Sequence, residues 1–534
     1  MDDLAELLAQ AAVDAPDHRA LVEADGRSLT WAELDHEVGR VATGLGDAGI
    51  VAGHRVLLAM ANRAELVAAY FGVLRAQAVA VPVNPRATVG ELARMLADSG
   101  ARLAFVDVGT ADAVRAAKAM VDAGLAGERS DLDEDALARA APTSLVTVGE
   151  AAGEAAGPGE VTYDDLLAAE PRPVPPLLDP HKLAVLLYTS GTSGRPRAAM
   201  LTHRALLANI EQVALIEPPM MEANDIVLGV LPLFHVYGLN AVLGAAVRHR
   251  ATLVLQQAFD PVGTLDLVAR HACTVLPLAP AVFPHWLAVH DLHDRLASVR
   301  LVLSGSAALP REVVEEFAAL TGITVHQGYG LTEASPVVTS TRRSAEDQPG
   351  SVGSVIDGVE LRLVDEQGHV VEGDDPGEIW VRGDNLFRGY WPDGSGGPDA
   401  EGWWATGDVG ILDPRGDLFL VDRVKELVVV SGFNVYPVEV EHVIRETGGV
   451  TEAAVIGVVD DDTGEAVVAY VVAPGLDPAA AEDAVRRHCE SRLARFKQPS
   501  RIEVVDTLPL SVTGRVQKGR LRGLERRRAL ELLE

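Results

Sequence analysis

Cysteine is almost absent from this sequence of 534 residues, which contains two, Cys273 and Cys489. They lie far apart and form no CxxC pair, so a disulfide framework and a thiolate metal site are excluded. We therefore expect a reducing compartment, the cytoplasm. The start of the chain, MDDLAELLAQAAVDAPDH, carries acids where a secretory signal carries Lys or Arg, and predicts an amphipathic surface helix.

Positive charge is also scarce, because 46 Lys plus Arg against 77 Asp plus Glu give a formal net charge of −31. Binding of nucleic acid across the surface needs clustered cations and is excluded. Membrane contact is expected to be peripheral at most, since no apolar run approaches the roughly 18–20 residues of a membrane span. Lysine is rarer still than arginine, with five in the chain: Lys118, Lys182, Lys425, Lys497 and Lys518. Arginine in place of lysine is therefore weaker evidence of altered function than usual.

Aromatic residues make up 4% of the chain, whereas hydrophobic residues reach 48%, so aliphatic side chains must form most of the core. At ~100–200 residues per domain, the length predicts two to four domains. Short apolar runs alternate with segments of helical periodicity at 55–59, 78–83, 101–107, 226–234, 251–256 and 273–278. This alternation predicts an α/β protein with parallel sheets covered by helices.

Other segments depart from this rhythm. Residues 299–326 predict one strand and a helix with Pro310 in its first turn, an apolar stripe and Gly322 at its end. Residues 124–180 are rich in Asp, Glu, Gly, Ala and Pro and predict a surface excursion. From about 350, alternating strands and turns predict an antiparallel β region, and a smaller α+β segment follows Asp422. We therefore expect domains at 1–421 and 422–534.

A loop rich in glycine and hydroxyl groups follows the apolar run AVLLY (184–188). It reads TSGTSGRPR (189–197). Glycines let several N–H groups point at one anion, hydroxyls add donors, and cations offset phosphate charge. The loop does not match the Walker A pattern. Composition therefore indicates either a polyphosphate cradle or a polar turn after a buried strand.

The order of residues in this loop is more specific, because YTSGTSGRPRAAMLTH resembles the phosphate-binding loop of the adenylate-forming enzymes. This superfamily contains acyl-CoA synthetases, peptide-synthetase adenylation domains and beetle luciferases. Further matching motifs follow in the family's order: PLFHVYG, SGSAALP, HQGYGLTE, GEIWVRG, GWWATGD, DRVKELVVVSGFNVYPVEVE and LPLSVTGRVQKGRLR. The resemblance covers nearly the whole chain, and SGFNVYPVEVE is most similar to bacterial fatty-acyl-CoA synthetases.

The resemblance implies a fold and a two-step reaction. The fold would be a large N-terminal domain of parallel sheets covered by helices, with a β-barrel-like portion and a small mobile α+β C-terminal domain. A carboxylate would attack the α-phosphorus of ATP and expel pyrophosphate, after which the thiol of coenzyme A would attack the acyl-adenylate and expel AMP. ATP, Mg²⁺ and coenzyme A would be required. Because the carboxylate and the phosphates of ATP are both negatively charged, catalysis would depend on positioning and charge neutralisation.

The resemblance also implies roles for residues that would bind the nucleotide and its metal. The β- and γ-phosphates would be held by Thr189, Ser190, Gly191, Thr192, Ser193 and Gly194. Tyr329 would flank the adenine, Thr332 would contact phosphate and Glu333 would bind Mg²⁺. Asp408 would accept hydrogen bonds from the ribose hydroxyls, and Arg423 would donate to ribose or phosphate.

Other implied roles concern the acid, the thiol and the mobile domain. His235 would position substrate rather than transfer a proton, and Gly305 would border the acyl pocket or adenine and leave room for a chain. Gly432 would line the pantetheine tunnel, and Asp422 would be the hinge of the C-terminal domain. The pocket walls would come from 235–240, 277–285, 304–309 and 327–337. No buried Arg or Lys is evident there as a partner for a second carboxylate, which favours an aliphatic acid over a diacid.

Two departures from the family pattern replace lysine with arginine. Arg197 stands in the phosphate loop, and Arg515 stands where the family's lysine reaches the carboxylate and α-phosphate. Arginine keeps the charge but is longer, planar and forked, so adenylation could be slower. Lys518 could supply an amine instead, and Lys497 is a weaker substitute.

Three functions are consistent with these motifs. The leading hypothesis is an ATP-dependent acid:CoA ligase acting on a fatty acid, with small-molecule substrates and a possible homodimeric state. The second is an acyl-AMP ligase that loads the phosphopantetheine of a carrier protein. The third is a non-catalytic nucleotide or acyl-CoA binding protein that lost the lysine at Arg515.

Overall fold

The computed structural model describes residues 2–128, 132–149, 160–189, 197–307, 309–346, 348–365, 367–371, 375–423, 426, 428–430, 433–460, 464–510 and 514–529. Within these ranges the chain forms two seven-stranded sheets, a four-stranded sheet, a two-stranded ribbon and a five-stranded C-terminal sheet. Helices cover the two large sheets, which confirms the α/β class predicted from the apolar runs.

The first sheet has the strand order β7-β6-β5-β3-β4-β8-β9 and is parallel except for β9. Its strands are β3 (Arg55–Ala59), β4 (Val79–Pro82), β5 (Leu103–Asp107), β6 (Ser144–Val148), β7 (Glu160–Thr162), β8 (Leu183–Thr189) and β9 (Arg197–Thr202). Strands β6 and β7 lie inside the predicted surface excursion at 124–180. That prediction is therefore wrong for 144–148 and 160–162, where SLVTV and EVT extend the sheet.

The second sheet has the order β14-β13-β12-β10-β11-β1-β2 and is parallel except for β2. Its strands are β1 (Arg19–Glu23), β2 (Ser28–Thr30), β10 (Ile226–Gly229), β11 (Thr252–Leu255), β12 (Val275–Leu278), β13 (Leu301–Ser304) and β14 (Val325–Gln327). Residues at 278, 304 and 327 are in register across three neighbouring strands. The segments that follow β12, β13 and β14 therefore start side by side at the carboxyl ends of these strands.

Thirteen helices belong to the described part of the two-sheet region. They are α1 (Leu4–Asp14), α2 (Trp31–Asp47), α3 (Ala64–Arg75), α4 (Val89–Ser99), α5 (Ala111–Leu125), α6 (Glu134–Arg139), α7 (Tyr163–Leu166), α8 (His203–Ala214), α9 (Ala245–His249), α10 (Pro261–His271), α11 (Phe283–Leu287), α12 (Leu292–Arg295) and α13 (Arg311–Thr321). Capping boxes begin α2 at Thr30 and α4 at Thr88, where each threonine accepts from the backbone of a glutamate three residues later. A π-helix, Tyr237–Gly244, runs directly into α9.

The predicted strand and helix around Pro310 are confirmed, except that Pro310 is the N-cap residue rather than a residue of the first turn. Pro310 precedes α13, and Gly322 ends this helix with a φ of 75°, in the left-handed region that favours glycine. Phe317 is fully buried, whereas Leu320 at the end of the predicted apolar stripe is half exposed.

The antiparallel region forms the four-stranded sheet β17 (Val359–Val364), β18 (Gly377–Gly383), β19 (Trp404–Leu412) and β20 (Leu418–Arg423), beside the ribbon of β15 (Thr339–Ser340) and β16 (Ser354–Val355). This four-stranded sheet is the expected barrel-like portion. The C-terminal sheet contains β21 (Val428–Val430), β22 (Phe433–Val435), β23 (Glu452–Asp460), β24 (Gly464–Val472) and β25 (Arg501–Val504), with α14 (Pro437–Arg445), α15 (Pro478–Arg492) and α16 (Lys518–Ala529). Among the described residues, no helix is long and apolar enough to cross a membrane.

Candidate active site

The nucleotide-binding residues expected from the sequence meet beside the second and four-stranded sheets. Tyr329, two residues beyond β14, donates its hydroxyl to Asp408 Oδ2 at 2.7 Å. Asp408 belongs to β19, and its backbone lies opposite Arg423 of β20. The structure therefore brings together the two residues expected to contact adenine and ribose, which lie 79 positions apart in the chain.

Thr332 and Glu333, which are expected to contact phosphate and metal, lie in a short turn that follows Tyr329 in the chain. Thr332–Ala334 forms one 3₁₀ turn, and Glu333 within it is buried, with 9% exposure. The segment that follows β18 holds this turn in place, since the Phe387 N–H donates to the Glu333 carbonyl at 2.8 Å and Asn385 Nδ2 to the Ala334 carbonyl at 2.7 Å. Tyr390 donates its hydroxyl to Glu333 Oε1 at 2.6 Å.

Both ends of the predicted phosphate loop lie close to this turn. Thr189 ends β8 and pairs with Arg197, the first residue of β9, while Ser190, Gly191, Thr192, Ser193 and Gly194 lie outside the described residues. The Arg197 guanidinium stacks on the Tyr390 ring, 3.8 Å from the ring centre. Because Tyr390 also binds Glu333, the end of the phosphate loop and the metal-binding candidate share one neighbour.

A partly buried polar contact fixes the strand that enters the loop. Tyr188 donates its hydroxyl to Asp98 Oδ2 at 2.8 Å, and Trp391 Nε1 donates to the Asp98 carbonyl at 2.9 Å. Arg139 pairs with the same aspartate at 2.6 Å. Burial raises the pKa of Tyr188 well above its usual value, so the hydroxyl remains a donor.

His235 lies in the short segment between β10 and the π-helix. Its Nε2 atom is buried and has no hydrogen-bond partner among the described residues. Burial lowers the pKa of this imidazole to about 4, so the ring is neutral at physiological pH. A neutral ring with an unpaired nitrogen suits the substrate-positioning role expected for His235.

Gly305 follows β13, and its missing side chain makes room for the ring of Tyr237. A Cβ at Gly305 would lie 2.9 Å from Tyr237 Cε1. The ring of Tyr237 therefore occupies the space beside the glycine, and the role expected for Gly305 stays a prediction.

An apolar cavity of about 40 Å³ lies beside Tyr237. Its walls are Val213, Ala214, Pro219, Met220, Met221, Tyr237, Ala241, Val242, Ala245, His249, Pro277, Leu303 and Val337. Tyr237, Pro277 and Val337 fall within the predicted wall segments, whereas α8, the 219–221 loop and the end of α9 were missed. The four-residue spacing of Tyr237, Ala241, Ala245 and His249 was the available signal, since it places them on one helix face.

The C-terminal motif reaches the same edge of the second sheet. Gly514, with a φ of 78°, lies so close to Ala281 that an added Cβ would be 3.1 Å from the Ala281 Cβ. Ala281 follows β12, and Arg515 is the next residue after Gly514. Residue 432 and the Arg423 side chain lie outside what the structure describes, so the roles expected for Gly432 and Arg423 stay predictions, as does the hinge at Asp422.

Both candidate substitute lysines are paired with carboxylates. Lys518 is nearly buried, with its Nζ atom 2.8 Å from Glu441 and 3.1 Å from Glu426. Lys497 lies 2.7 Å from Glu439. The two carboxylates that hold the Lys518 ammonium group argue against its replacing the family's lysine, which stays an untested expectation.

The carboxylate of Glu333 fits a magnesium ion that arrives with a nucleotide. Mg²⁺ is commonly bound through one or two carboxylates together with substrate phosphates and water. Among the described residues no cluster of three or more His, Cys, Asp or Glu could hold a metal alone. A single acidic side chain near the ends of the phosphate loop matches a Mg²⁺ site that substrate phosphates and water complete.

Two family models match this chain. The model of the AMP-binding enzyme covers residues 8–391, and that of the AMP-binding enzyme C-terminal domain covers residues 439–515. The chain therefore belongs to the AMP-binding enzymes, the adenylate-forming superfamily, and the CoA ligases among its 33% identical relatives place it with the AMP-forming CoA ligases. Enzymes of this class use ATP, Mg²⁺ and coenzyme A.

Relatives with different acid substrates match over nearly their whole length. A long-chain-fatty-acid–CoA ligase of Bacillus subtilis is 33% identical over 553 residues, covering 97% of this chain and 94% of the relative. 4-Coumarate–CoA ligase 5 of Oryza sativa subsp. japonica is 33% identical over 525 residues, covering 95% and 92%. Among solved structures, ATP-bound MatB from Rhodopseudomonas palustris matches with a TM-score of 0.85 and 31% identity, covering 98% of this chain and 99% of MatB.

Proposed function

We propose that this CoA ligase activates a fatty acid, first as an acyl-adenylate and then as the acyl-CoA thioester. The observation that carries the choice of acid is the cavity beside Tyr237. Its lining is almost entirely aliphatic and contains no Arg or Lys among the described residues. An aliphatic tail gains free energy from burial there, whereas a second carboxylate would lose its hydration without a cationic partner.

The lining also favours an aliphatic tail over a phenol. Apart from the Tyr237 hydroxyl, the described wall offers one polar side chain, His249. Burial lowers the pKa of His249, which favours its neutral form. A flexible chain also adapts to walls built partly from Met220 and Met221, whose side chains can repack. The 33% identical relatives named for a fatty acid and for coumarate do not by themselves decide between these acids.

In the first half-reaction, the residues of the chain would act mainly by position and charge. Tyr329 and Asp408 would hold the adenosine, and the carboxylate of Glu333 would hold Mg²⁺, which offsets the phosphate charge when it is bound. Arg515 would place a fixed positive charge near the carboxylate and the α-phosphate, since Gly514 packs on Ala281. His235, neutral with an unpaired Nε2, would orient the acid rather than remove a proton.

The proposal is tested with purified protein, ATP, Mg²⁺, CoA and aliphatic acids of increasing length, with coumarate and a dicarboxylic acid for comparison. We expect AMP, pyrophosphate and acyl-CoA from the aliphatic acids, with little turnover of the two comparison acids. A preference for coumarate would overturn the choice of fatty acid. Pyrophosphate release without acyl-CoA would indicate a carrier-protein acceptor, and ATP binding without adenylate would indicate a non-catalytic homologue.

A further inference from the structure

Tyr390 is the described residue that contacts both sides of the candidate phosphate site. Its hydroxyl donates to Glu333 Oε1 at 2.6 Å, and its ring face carries the Arg197 guanidinium 3.8 Å from the ring centre. Sequence analysis of the motifs did not single it out, although RGYW follows GEIWVRG within ten residues. One side chain therefore links the metal-binding candidate to the strand that leaves the phosphate loop.

The backbone around Tyr390 is anchored to that same strand. The Trp391 N–H donates to the Ala198 carbonyl at 2.9 Å, and the Met200 N–H donates to the Gly389 carbonyl at 3.0 Å. Gly389 has a φ of 116°, and a Cβ there would lie 2.0 Å from the Gly394 carbonyl oxygen, so the tight turn requires glycine. This pairing fixes the position from which the tyrosine reaches Glu333.

Aromatic packing fixes the ring itself. Phe387 contacts Tyr390 edge to face with ring centres 5.0 Å apart, and Phe387 contacts Trp404 in the same way at 5.1 Å. A carboxylate only accepts hydrogen bonds, so the Tyr390 hydroxyl is the donor in its contact with Glu333. A rigid donor can hold a carboxylate in one rotamer.

We propose that Tyr390 is a positioning residue that holds the Glu333 carboxylate, and with it Arg197, in the arrangement that receives a magnesium-bound polyphosphate. The inference rests on the proposed function, since it assumes that Glu333 binds the metal of MgATP. A hydrogen bond to one carboxylate oxygen sets the rotation of the whole group, so less conformational entropy is lost when the metal binds. Partners that orient a ligating group in this way typically change metal affinity by about 10–100-fold.

The test compares ATP binding by wild type and Tyr390→Phe in calorimetric titrations at a series of Mg²⁺ concentrations and in EDTA. Phenylalanine keeps the ring under Arg197 and removes the hydroxyl alone. We expect the Mg²⁺ concentration that half-maximally enhances ATP binding to rise about tenfold, while ATP affinity in EDTA is unchanged. Tyr390→Ala also removes the stacking surface, so ATP affinity should fall in EDTA as well.

Tyr163→Phe is the matched control, because the Tyr163 hydroxyl donates to Glu37 at 2.8 Å outside the candidate site. It should titrate with Mg²⁺ as wild type does. In Glu333→Gln, adding Tyr390→Phe should cause little further change, because both substitutions affect one interaction.

Two results would overturn the inference while leaving the proposed function intact. The first is an unchanged Mg²⁺ requirement in Tyr390→Phe, and the second is an equal loss of ATP affinity with and without Mg²⁺, which would indicate a purely structural role. If the wild type itself binds no ATP at any Mg²⁺ concentration, the proposed function fails, and this inference fails with it.

Discussion

Individual side chains of the candidate site are set mainly by burial and by the shape of their neighbours. The Nε2 atom of His235 is buried without a described partner, and Tyr237 fills the space that Gly305 leaves open. Arg515 differs from the other two, because its expected role depends on a fixed charge. Arg515 and His235 lead to separate experiments.

Arg515→Ala should slow pyrophosphate release about a hundredfold, because a charge worth ~3 kcal/mol at the transition state corresponds to two decades at about 1.4 kcal/mol per decade. Arg515→Lys should release pyrophosphate at least as fast as wild type, since a compact ammonium fits a crowded centre better than a guanidinium. The measurement is pyrophosphate release under saturating ATP and acid. An unchanged rate in Arg515→Ala would show that this arginine does not assist adenylation.

His235 should make stability depend on pH below neutrality. Burial lowers its pKa from 6.5 to about 4, so between these values the unfolded chain binds a proton that the folded chain does not. The contribution is therefore complete above pH 6.5 and is lost progressively as the pH falls toward 4. The melting temperature of His235→Gln, measured by calorimetry, should fall less between pH 7.5 and pH 5 than that of wild type. Equal losses would mean that His235 does not titrate in this way.

Two helical segments contribute to the candidate site, one by lining the cavity and one by anchoring the C-terminal motif. The π-helix and α9 place Tyr237, Ala241, Ala245 and His249 along one wall of the cavity. In the C-terminal region, α16 begins with Lys518, whose ammonium group is held between Glu441 and Glu426. The face formed by the π-helix and α9 thus limits the space for substrate. The first residue of α16 anchors the segment that carries Arg515.

Ala241→Phe should shorten the range of acids that the protein accepts, because the larger side chain would project from the cavity wall beside Tyr237. We expect kcat/KM to fall at least tenfold for the longest acids used by wild type and to change little for two-carbon and four-carbon acids. The comparison of kcat/KM across acids measures this. A uniform fall for every acid would indicate general damage to the fold rather than a change in pocket depth.

Lys518→Met should destabilise the C-terminal region, because it leaves two carboxylates without their shared cation, one of them on the buried Glu441. Breaking a buried pair typically costs about 3–5 kcal/mol. Chemical unfolding, followed by a probe attached in this region, should show the loss. Lys118→Met is the control, since the exposed pair of Lys118 with Asp122 should contribute at most about 1 kcal/mol. Equal effects of the two substitutions would contradict the prediction.

The chain as a whole forms the candidate site from segments that are distant in sequence. Strands β8 and β9 of the first sheet, the segments after β12 and β14 of the second, strand β19 and the C-terminal turn at Gly514 all contribute. The contact between Gly514 and Ala281 joins the two predicted domains. If the C-terminal domain rotates between the half-reactions, this contact must break for the second one.

A disulfide between Gly514→Cys and Ala281→Cys tests that rotation. The ideal Cβ separation of 3.1 Å is slightly below the usual ≈ 3.5–4.5 Å, and the φ of 78° at Gly514 strains any side chain there. The bond therefore requires a local backbone shift, and the single variant Gly514→Cys is the control for that strain. The oxidised variant should still release one equivalent of pyrophosphate but form little acyl-CoA, and reduction should restore the thioester. Both native cysteines are buried, which limits competing disulfides. Equal rates of acyl-CoA formation before and after reduction would contradict the rotation.

Much of the fold followed from patterns that are local in the chain. Apolar runs predicted the central strands, and proline and glycine predicted the start of α13 and its end at Gly322. Strand β6 and the edge strand β7 were missed, because a short strand within a polar, alanine-rich segment has little periodicity of its own. Pairing with β5 and its neighbours decides that these residues are extended.

The sequence alone determined the family, the co-substrates and which residue types can bind phosphate, because ordered motifs and chemical character are properties of the chain itself. Tertiary structure alone decided that Tyr390 lies between Glu333 and Arg197, that Tyr237 fills the space beside Gly305, and that Lys518 is held by two carboxylates. Each of these contacts joins residues far apart in the chain. Their proximity depends on how sheets and turns pack, which no local pattern encodes.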